Sequence, residues 1–597
     1  MASPSDSGFF AAPAAPPDPA QVSRALARVA KNAGAILRAA ATSSPKTTPF
    51  DAATPLKAIS DFTLALWSNP AQLMAAQARA WRDFTALSMA AVARMTGAEG
   101  PPAAQPGKGD RRFGDAAWSD EPVFDYLKQA YLLAEGQVRD LVAGADLDER
   151  TRTQVDFFSR QMLNALAPTN YPLTNPQVLR KTLETGGLNL LTGLGNLLED
   201  VAHGKGLVKR RTPATFELGV NIAATPGGVI FQNELMQLIQ YEPTTKSVYR
   251  RPLLFVPPLV NKYYLFDLTA KSSYLKWLAD QGHTVFVISW VNPTERQADK
   301  DLAAYVRDGV LASLEAIELA TGEGEVDLVS YCLGGVISAI AMAWLAAKGQ
   351  GKRVASATLI ATLLDFKDIG EWAVFVGEDE LATFDRYLDE KGYVEAHDLS
   401  KLFSAVRAND LIWSAVVTHY LLGEEAKPSD LLWWFDDGAR IPAAVLRDYG
   451  KLMLRQNRLR QAGGVTIDGV AIDLGAIKTP VTMVAFKDDH VAAWNDSYAG
   501  LHLFGGPKRF LVGGSGHNAG MINPPAADKH GYWTGETLPV SAQAWLEAAT
   551  NKPGSWWPEW EGWLAGPKAA RVPARQVGGG ALPIIEPAPG SYVRVTY

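Results

Sequence analysis

Hydrophobic and polar positions follow two different patterns along this chain. As far as residue 205, apolar residues recur with the spacing of amphipathic helices, and from residue 216 they gather into short continuous runs of strand type. The first pattern predicts helices over residues 22–41, Pro70–Met95, 122–141, Glu149–Leu166 and 175–202. The second predicts strands at residues 228–232, Leu253–Val256, 284–290, Val326–Tyr331, 355–362, Val481–Phe486 and 509–512.

These patterns predict an α/β fold with three regions. Residues 1–60 are rich in Ala, Pro, Ser and Thr and are expected to form a flexible tail. Residues 61–205 are expected to form a helical N-terminal domain. Residues 206–597 are expected to form a catalytic domain in which helices cover a parallel sheet on both faces.

An inserted segment interrupts the α/β pattern. Residues 366–480 separate two predicted strands and are too many for one crossover helix. Their helical and aromatic sequence, which includes LIWSAVVTHYLLG and LLWWFDDG, predicts a helical cap or lid over an apolar substrate path.

The predicted helix Pro70–Met95 carries large apolar side chains broadly on one side. These residues are Leu73, Met74, Trp81, Phe84, Leu87, Val92 and Met95. We expect such a face to pack on the protein itself or on a second subunit, in preference to direct binding to a hydrophobic surface.

The single cysteine of the chain, Cys332, lies where the strand Val326–Tyr331 gives way to an apolar helical run. An α/β-hydrolase nucleophile elbow, usually G-x-S-x-G, needs small residues two positions either side of the nucleophile, and here these are Ser330 and Gly334. A cysteine nucleophile forms thioester intermediates. An unpaired cysteine in an apolar run is also often a small buried hydrophobe, so this interpretation requires catalytic partners elsewhere.

Both partners are present in the order that the fold requires, which is nucleophile, acid and histidine. Asp489 follows the strand Val481–Phe486, and His517 lies in a glycine-rich loop after the predicted strand at 509–512. Asp489 is preferred as the acid, either orienting His517 or acting as a separate base, with Asp488 and His490 as competitors.

An oxyanion hole on this scaffold uses two backbone N–H groups. One should belong to Leu333, which follows the nucleophile, and the other to the loop after the strand Leu253–Val256, where Leu259 is the candidate. Four further residues of that region could hold the loop in place: Asn261, Lys262, Tyr263 and Tyr264.

Composition narrows the function classes. The chain has 57 Lys and Arg against 63 Asp and Glu, a formal charge of −6 that offers no electrostatic footprint for nucleic acid. One cysteine cannot form an intramolecular disulfide, which favours a reducing, cytoplasmic location. The sequence starts without a secretory signal pattern and has no apolar run long enough to span a membrane. No phosphate-binding loop, dinucleotide fingerprint or metal-ligand cluster is found, so no cofactor and no metal are expected.

From about residue 110 to its end, the chain resembles the class I polyhydroxyalkanoate (poly-3-hydroxybutyrate) synthases of PhaC type. The resemblance rests on motifs that include DRRFGDAAW at 110–118, PTNYPLTNP at 168–176, TLETGGLNL at 182–190 and ATPGGVIFQNEL at 224–235. Later motifs are VPPLVNKYYLFDL, QGHTVFVISW, SYCLGG, RANDLIW, SGHNAGMINPP, GSWWPEW and APGSYV.

The resemblance implies an acyltransferase that polymerises (R)-3-hydroxyacyl-CoA, with short-chain 3-hydroxybutyryl-CoA as the expected substrate, and releases CoA. It implies that Cys332, Asp489 and His517 are the catalytic trio, and that Trp413 lies near catalysis or a subunit contact. A homodimer at the surface of cytoplasmic polyester granules is also implied. The alternatives are a thioesterase or polyester depolymerase on the same scaffold, and a granule-binding protein without activity.

Four departures from the synthase pattern are visible. Ser330 stands where glycine is usual, and WWFDD, VVTHY and HVAAW replace the more usual WNSD, VVNNY and HIAPW. These departures leave the substrate preference and the behaviour of the lid undetermined. They do not affect the assignment of the catalytic trio.

Overall fold

The computed structural model describes residues 17–40, 53–95, 101–107, 109–202, 215–425, 427–566 and 569–596. These residues form two compact units. We call the first the helical unit; it contains the described residues up to 202 and the described part of Ser400–Lys427. The second, the sheet unit, contains the described parts of Ala214–Leu399 and Pro428–Tyr597.

The helical unit consists of helices whose starts are marked by proline and by capping side chains. Pro122 stands at the start of one helix, and Asp148 caps another by accepting a hydrogen bond from the Thr151 N–H at 3.0 Å. The helices are α1 (Pro19–Ala40), α2 (Ala53–Ser68), α3 (Pro70–Met95), α4 (Ala117–Asp120), α5 (Pro122–Gly144), α6 (Glu149–Leu166), α7 (Pro176–Glu184) and α8 (Leu188–Ala202). The predicted ends of α3 and α6 are confirmed.

Two details of the sequence prediction for this unit are wrong. Helix α2 begins at Ala53, so residues 53–60 are helical and not part of a flexible tail; Ala and Thr dominate its first residues and conceal the apolar spacing that follows. The helix predicted over 175–202 is interrupted between α7 and α8 by the sequence TGG, because successive glycines favour a turn. Helix α1, Pro19–Ala40, lies where a helix was predicted over 22–41, and the other residues of the predicted tail, 1–16 and 41–52, lie outside the described residues.

A segment from far along the chain completes the helical unit. Ser400–Lys427, which the sequence pattern placed in the cap, packs against α8, where Asn196 Nδ2 donates to the His419 carbonyl at 2.9 Å. A Cβ on Gly193 would lie only 1.9 Å from the Tyr420 carbonyl oxygen, so this approach requires glycine. Part of the predicted cap therefore belongs to the helical unit.

Helices α2 and α3 present large apolar side chains to the outside. Leu87 of α3 is buried against the protein itself, but Trp67 and Trp81 are 71% and 79% exposed. The exposed set, which we call the α2–α3 apolar face, comprises Leu56, Ile59, Leu64, Trp67, Met74, Trp81, Met89 and Val92. Single exposed apolar residues are common, but a set of this size on neighbouring helices is typical of an interaction surface.

The sheet unit contains the predicted α/β sheet. Its strands are β1 (Gly227–Gln232), β2 (Met236–Tyr241), β3 (Ser247–Tyr249), β4 (Leu253–Val256), β5 (Val285–Trp290), β6 (Val326–Tyr331), β7 (Val354–Ile360), β8 (Tyr393–Val394), β9 (Ile441–Pro442), β10 (Thr466–Ile467), β11 (Val470–Ala471), β12 (Val481–Phe486), β13 (Lys508–Gly513), β14 (Tyr532–Thr534), β15 (Thr550–Lys552), β16 (Arg571–Pro573) and β17 (Glu586–Pro587). Within the described residues the main sheet has the order β15-β14-β13-β12-β7-β6-β4-β5-β2-β1-β17.

The centre of this sheet is parallel and its flanks are antiparallel. Strands β13, β12, β7, β6, β4 and β5 run parallel to one another, as predicted. Strands β2, β1 and β17 on one side, and β14 and β15 on the other, are antiparallel; of these the sequence pattern predicted only β1, at residues 228–232.

Helices cover the sheet and fill the segment between β7 and β12. The helices outside that segment are α9 (Tyr274–Asp280), α10 (Leu302–Ala304), α11 (Ala312–Thr321), α12 (Leu333–Ala347), α17 (Trp494–Leu501), α18 (His517–Met521), α19 (Ala542–Ala548) and α20 (Trp557–Ala565). Those between β7 and β12 are α13 (Glu378–Lys391), α14 (Ala396–Val406), α15 (Asp430–Asp436) and α16 (Ala443–Asp448), with wider π-helical turns at Asn409–Trp413, Val416–Leu421 and Tyr449–Arg455.

The central strands and α12 form the core that fixes the site. Every residue of β4, β6 and β12 is buried, and so are 12 of the 15 residues of α12. Each fully buried Val, Leu or Ile side chain contributes about 1.5–3 kcal/mol to folding, so the ends of these strands are held firmly. Among the described residues, no helix combines the length and the apolar character needed to cross a membrane.

Candidate active site

Cys332 occupies a sharp turn between β6 and α12. Its backbone has a φ of 52° and a ψ of −123°, a positive-φ conformation that is strained for a residue with a side chain. The Cys332 N–H donates to the Ile360 carbonyl at 2.9 Å, and Thr362 Oγ1 donates to the Cys332 carbonyl at 3.2 Å. Bonds from the neighbouring strand thus hold the turn, with the half-buried thiol at the carboxyl edge of the parallel strands.

The two small residues of the elbow have different surroundings. A Cβ on Gly334 would lie 2.4 Å from the Val256 carbonyl oxygen, so α12 can approach β4 only with glycine at this position. Ser330 is fully buried, and its hydroxyl donates to the Thr358 carbonyl at 3.4 Å. The side chain of this serine, which replaces the usual glycine of the synthase pattern, therefore points towards β7 and fits beside the turn.

The structure brings His517 between Asp489 and Cys332. Asp489 lies after β12 and His517 is the first residue of α18, which follows β13. The His517 Nδ1–H donates to Asp489 Oδ2 at 2.6 Å, and Cys332 is near enough to the imidazole to raise its pKa. Because Nδ1 is engaged by the carboxylate, Nε2 is the nitrogen left for the thiol. The three residues selected from the sequence thus lie together at one site.

Asp489 controls the charge of the imidazole. Burial acts to lower the pKa of His517, but the charge and hydrogen bond of Asp489, followed by the interaction with Cys332, raise it to about 10. Asp489 Oδ1 accepts from the backbone N–H groups of Val491 and Ala492 at 2.8 and 2.9 Å, which orients the carboxylate. The site therefore favours transfer of the Cys332 proton to His517.

The two competitors of Asp489 are oriented differently. The Asp489 side chain is fully buried, whereas Asp488 and His490 on either side of it are exposed. Only Asp489 is bonded to His517 among these three neighbours, so the geometry separates residues that the sequence pattern could not.

The two proposed oxyanion donors lie beside the elbow. Leu333 is the first residue of α12, where N–H groups have no intrahelical partner, and Leu259 lies in residues 257–262 after β4, here called the β4 loop. Strands β4 and β6 are paired, with Val256 opposite Ser330, so the loop and the elbow share one edge of the sheet. Among the described residues, neither N–H donates to another protein group.

Two tyrosines near the thiol were not identified from the sequence. Burial and then the charge of Cys332 raise the pKa of Tyr449, a residue of the cap insertion. The Tyr331 hydroxyl donates to the His517 carbonyl at 3.0 Å and is also 3.2 Å from Asn518 Oδ1, and thus holds the histidine turn. Tyr331 could have been suspected from its place next to Cys332, but nothing local distinguishes Tyr449 within its helical pattern.

Trp413 belongs to the helical unit, whereas the trio belongs to the sheet unit. It lines a cavity of about 1040 Å³ together with Asp110, Arg111 and Arg112 of the DRRFG motif and with Arg407. Two of the motifs that carry the synthase resemblance, DRRFG and NDLIW, therefore meet in one cavity of the helical unit. This placement neither assigns Trp413 to catalysis nor identifies a subunit contact.

The order of the central strands, the elbow after β6 and the histidine after β13 define an α/β-hydrolase fold. A family model described as alpha/beta hydrolase fold matches residues 267–524, and one described as Poly-beta-hydroxybutyrate polymerase (PhaC) N-terminus matches residues 109–278. The predicted fold class is confirmed.

Several curated relatives match nearly the whole chain. The Poly(3-hydroxyalkanoate) polymerase of Methylorubrum extorquens is 42% identical over 531 residues, which cover 88% of this chain and 87% of that protein. The Poly(3-hydroxyalkanoate) polymerase subunit PhaC of Rhizobium etli is 43% identical, covering 88% of this chain and 84% of that protein, and its namesake from Cupriavidus necator is 38% identical, covering 88% and 89%. The chain belongs to the poly(3-hydroxyalkanoate) polymerase family, and the resemblance to polyhydroxyalkanoate synthases is confirmed.

Proposed function

We propose that this protein is an acyltransferase that polymerises (R)-3-hydroxyacyl-CoA, with 3-hydroxybutyryl-CoA as a substrate, into polyhydroxyalkanoate and releases CoA. The observation that carries the proposal is the hydrogen-bonded pair Asp489 and His517 beside Cys332 on a nucleophile elbow, in a chain of the polymerase family. A cysteine suits this reaction because it accepts acyl groups from one thioester and holds them as another.

In the first step His517 takes the proton of Cys332, and the sulfur attacks the carbonyl carbon of the CoA thioester. The negative charge that develops on the carbonyl oxygen is stabilised by the N–H groups of Leu333 and Leu259. The bond between the carbonyl carbon and the CoA sulfur then breaks. CoA leaves with the proton from His517, and the acyl group remains on Cys332.

In the second step the 3-hydroxyl of another unit attacks the acyl-cysteine. His517, held by Asp489, removes the hydroxyl proton while the new ester bond forms, and it returns that proton to the Cys332 sulfur as the thioester breaks. The balance is one ester formed and one CoA released for each unit added. Every proton transfer of the cycle passes through the imidazole of His517.

Incubation with (R)-3-hydroxybutyryl-CoA tests this proposal. We expect insoluble polyester and stoichiometric free CoA. Free 3-hydroxybutyrate as the sole product would instead identify a thioesterase, and no CoA release at all would identify a binding protein. Cys332→Ala should abolish both products while the melting temperature is retained, and a variant that still turns over would refute the nucleophile assignment.

We also propose that the protein acts in the cytoplasm as a homodimer at the polyester surface, with the α2–α3 apolar face in contact with the polymer. The exposed Trp67 and Trp81 support the contact, because apolar side chains gain free energy when a hydrophobic phase replaces water. The single cysteine fits a reducing compartment.

A double variant, Trp67→Lys with Trp81→Lys, should lose co-sedimentation with polymer particles while its melting temperature is unchanged. Val540→Lys removes an apolar residue that is 97% exposed elsewhere on the protein and serves as the matched control. Light scattering reports the oligomeric state. Loss of the dimer with polymer binding intact would assign this face to the subunit interface instead.

A further inference from the structure

The end of cap helix α15 is bonded to the region that carries the candidate oxyanion donor Leu259. Lys262, the last residue of the β4 loop, donates from Nζ to Asp437 Oδ1 at 2.6 Å. The Tyr264 hydroxyl, two residues later, donates to the other oxygen of the same carboxylate at 2.7 Å. One aspartate just beyond α15 therefore binds two side chains at the C-terminal end of the β4 loop.

Backbone contacts strengthen the same connection. Trp434 of α15 donates from Nε1 to the Lys262 carbonyl at 2.8 Å, and Asn261 Nδ2 donates to the Trp434 carbonyl at 3.2 Å. Asn261 has a φ of 90°, a left-handed conformation that a non-glycine residue adopts at a cost in free energy. Contacts with α15 therefore hold the β4 loop in a strained backbone conformation.

The ion pair is buried. The side chains of Lys262 and Asp437 are only 4% and 13% exposed. Burial lowers the pKa of Lys262 and raises that of Asp437, and each partner's charge opposes the shift. A buried ion pair adds little net stability compared with apolar residues of the same volume, because desolvation offsets its attraction. Its distinctive property is that it orients the groups it joins, since two bonds to one carboxylate fix the C-terminal end of the loop.

We propose that Lys262, Tyr264 and Asp437 are positioning residues that hold the β4 loop so that the Leu259 N–H faces the thioester oxygen. Because Asp437 follows α15 in the cap insertion, stabilisation of the oxyanion then depends on the cap being in place over that loop. The proposal rests on the function proposed above, since it presupposes acyl transfer at Cys332.

Single variants test the positioning role. Lys262→Met and Asp437→Asn should lower kcat for CoA release on the order of 10²-fold, the loss typical of an oxyanion donor, with a much smaller effect on KM. Alkylation of Cys332 by iodoacetamide forms no oxyanion, so its rate should stay at the wild-type value in both variants. An unchanged kcat, or equal losses of kcat and of alkylation rate, would overturn the proposal.

A triple variant separates positioning from stability. Lys262→Met, Tyr264→Phe and Asp437→Leu together leave no buried polar group unpaired, so the melting temperature should return towards the wild-type value while kcat stays low. Recovery of kcat as well would show that the cluster serves stability alone.

Two controls complete the design. Glu323→Gln disrupts the partly buried Arg575–Glu323 pair, 3.1 Å, at the opposite end of β6 from Cys332, and should leave kcat unchanged. Cys332→Ala, measured in parallel, tests the underlying function. If Cys332→Ala still releases CoA, the proposed function is refuted. If Cys332→Ala is inactive but the Lys262 and Asp437 variants are fully active, only the proposed positioning role is refuted.

Discussion

Asp489→Asn is the substitution that most directly tests the chemistry of the site. The asparagine oxygen can still accept from the N–H groups of Val491 and Ala492, so the turn after β12 should keep its shape. The other carboxylate oxygen is replaced by an NH₂ group, which cannot accept from His517 Nδ1–H. The imidazole is then driven to the tautomer that carries its proton on Nε2, and this nitrogen can no longer accept the proton of Cys332.

The expected loss follows from the geometry. The variant loses a charge-assisted hydrogen bond of 2.6 Å from His517 to a buried carboxylate, and the N–H of His517 then faces an NH₂ group. The corresponding change in serine enzymes lowers kcat about 10⁴-fold. Because a thiol is more easily ionised than a serine hydroxyl, we expect a smaller loss, between about 10² and 10⁴-fold, or roughly 3–5 kcal/mol of transition-state stabilisation.

The assay is CoA release from (R)-3-hydroxybutyryl-CoA, separated by chromatography and measured between pH 6 and 11. The alkaline decline of the wild type should lie near the His517 pKa of about 10, and in Asp489→Asn it should move down towards the ordinary histidine range. Asp488→Asn, which changes the exposed neighbour, should match the wild type. An Asp489→Asn enzyme with near wild-type kcat/KM and an unmoved pH profile would refute the orienting role of this carboxylate.

Three further predictions concern stability. The pKa of His517 is raised from 6.5 to about 10, so the interactions of its protonated ring stabilise the fold fully below about pH 6.5, and this stabilisation is lost as the pH rises through 10. The melting temperature of the wild type should therefore fall between pH 6.5 and 10. In Asp489→Asn it should fall less steeply. Gly334→Ala places a Cβ 2.4 Å from the Val256 carbonyl oxygen and should lower the melting temperature strongly or prevent soluble expression. Ser330→Gly loses only one hydrogen bond of 3.4 Å and should change the free energy of unfolding by about 1 kcal/mol. Gly193→Ala should loosen Ser400–Lys427 and make it the first site of limited proteolysis, and an unchanged digestion pattern would contradict the role assigned to this glycine.

The sequence identified the central strands because they are buried on both faces and therefore appear as continuous apolar runs. The predicted bounds of β4, β6 and β12 agree with the structure, and the residues after their carboxyl ends include Cys332 and Asp489. The topology of the fold then limited the histidine to the loop after β13. Edge strands such as β14 and β17 escaped prediction because they are short and only partly buried.

Features that depend on contacts between distant parts of the chain could not be predicted in the same way. The choice between Asp488 and Asp489 depends on which side chain turns inward, and both follow the same strand. The proximity of Tyr449 to Cys332, and the bond from Lys262 to Asp437, join the cap to residues far away in the sequence. Local periodicity contains no information about such pairs.

The assignment of Ser400–Lys427 to the helical unit means that the two units are interleaved along the polypeptide. The chain leaves the helical unit between residues 202 and 215, returns at 400 and departs again at 427, so a single cut cannot separate two complete modules. A fragment that starts at the sheet unit would still carry residues 400–427 without α8 to pack against, and its apolar positions would become an aggregation site. Truncated variants of this protein should therefore replace residues 400–427 with a linker whenever α8 is removed, and exchange of N-terminal regions between relatives should transfer both segments together.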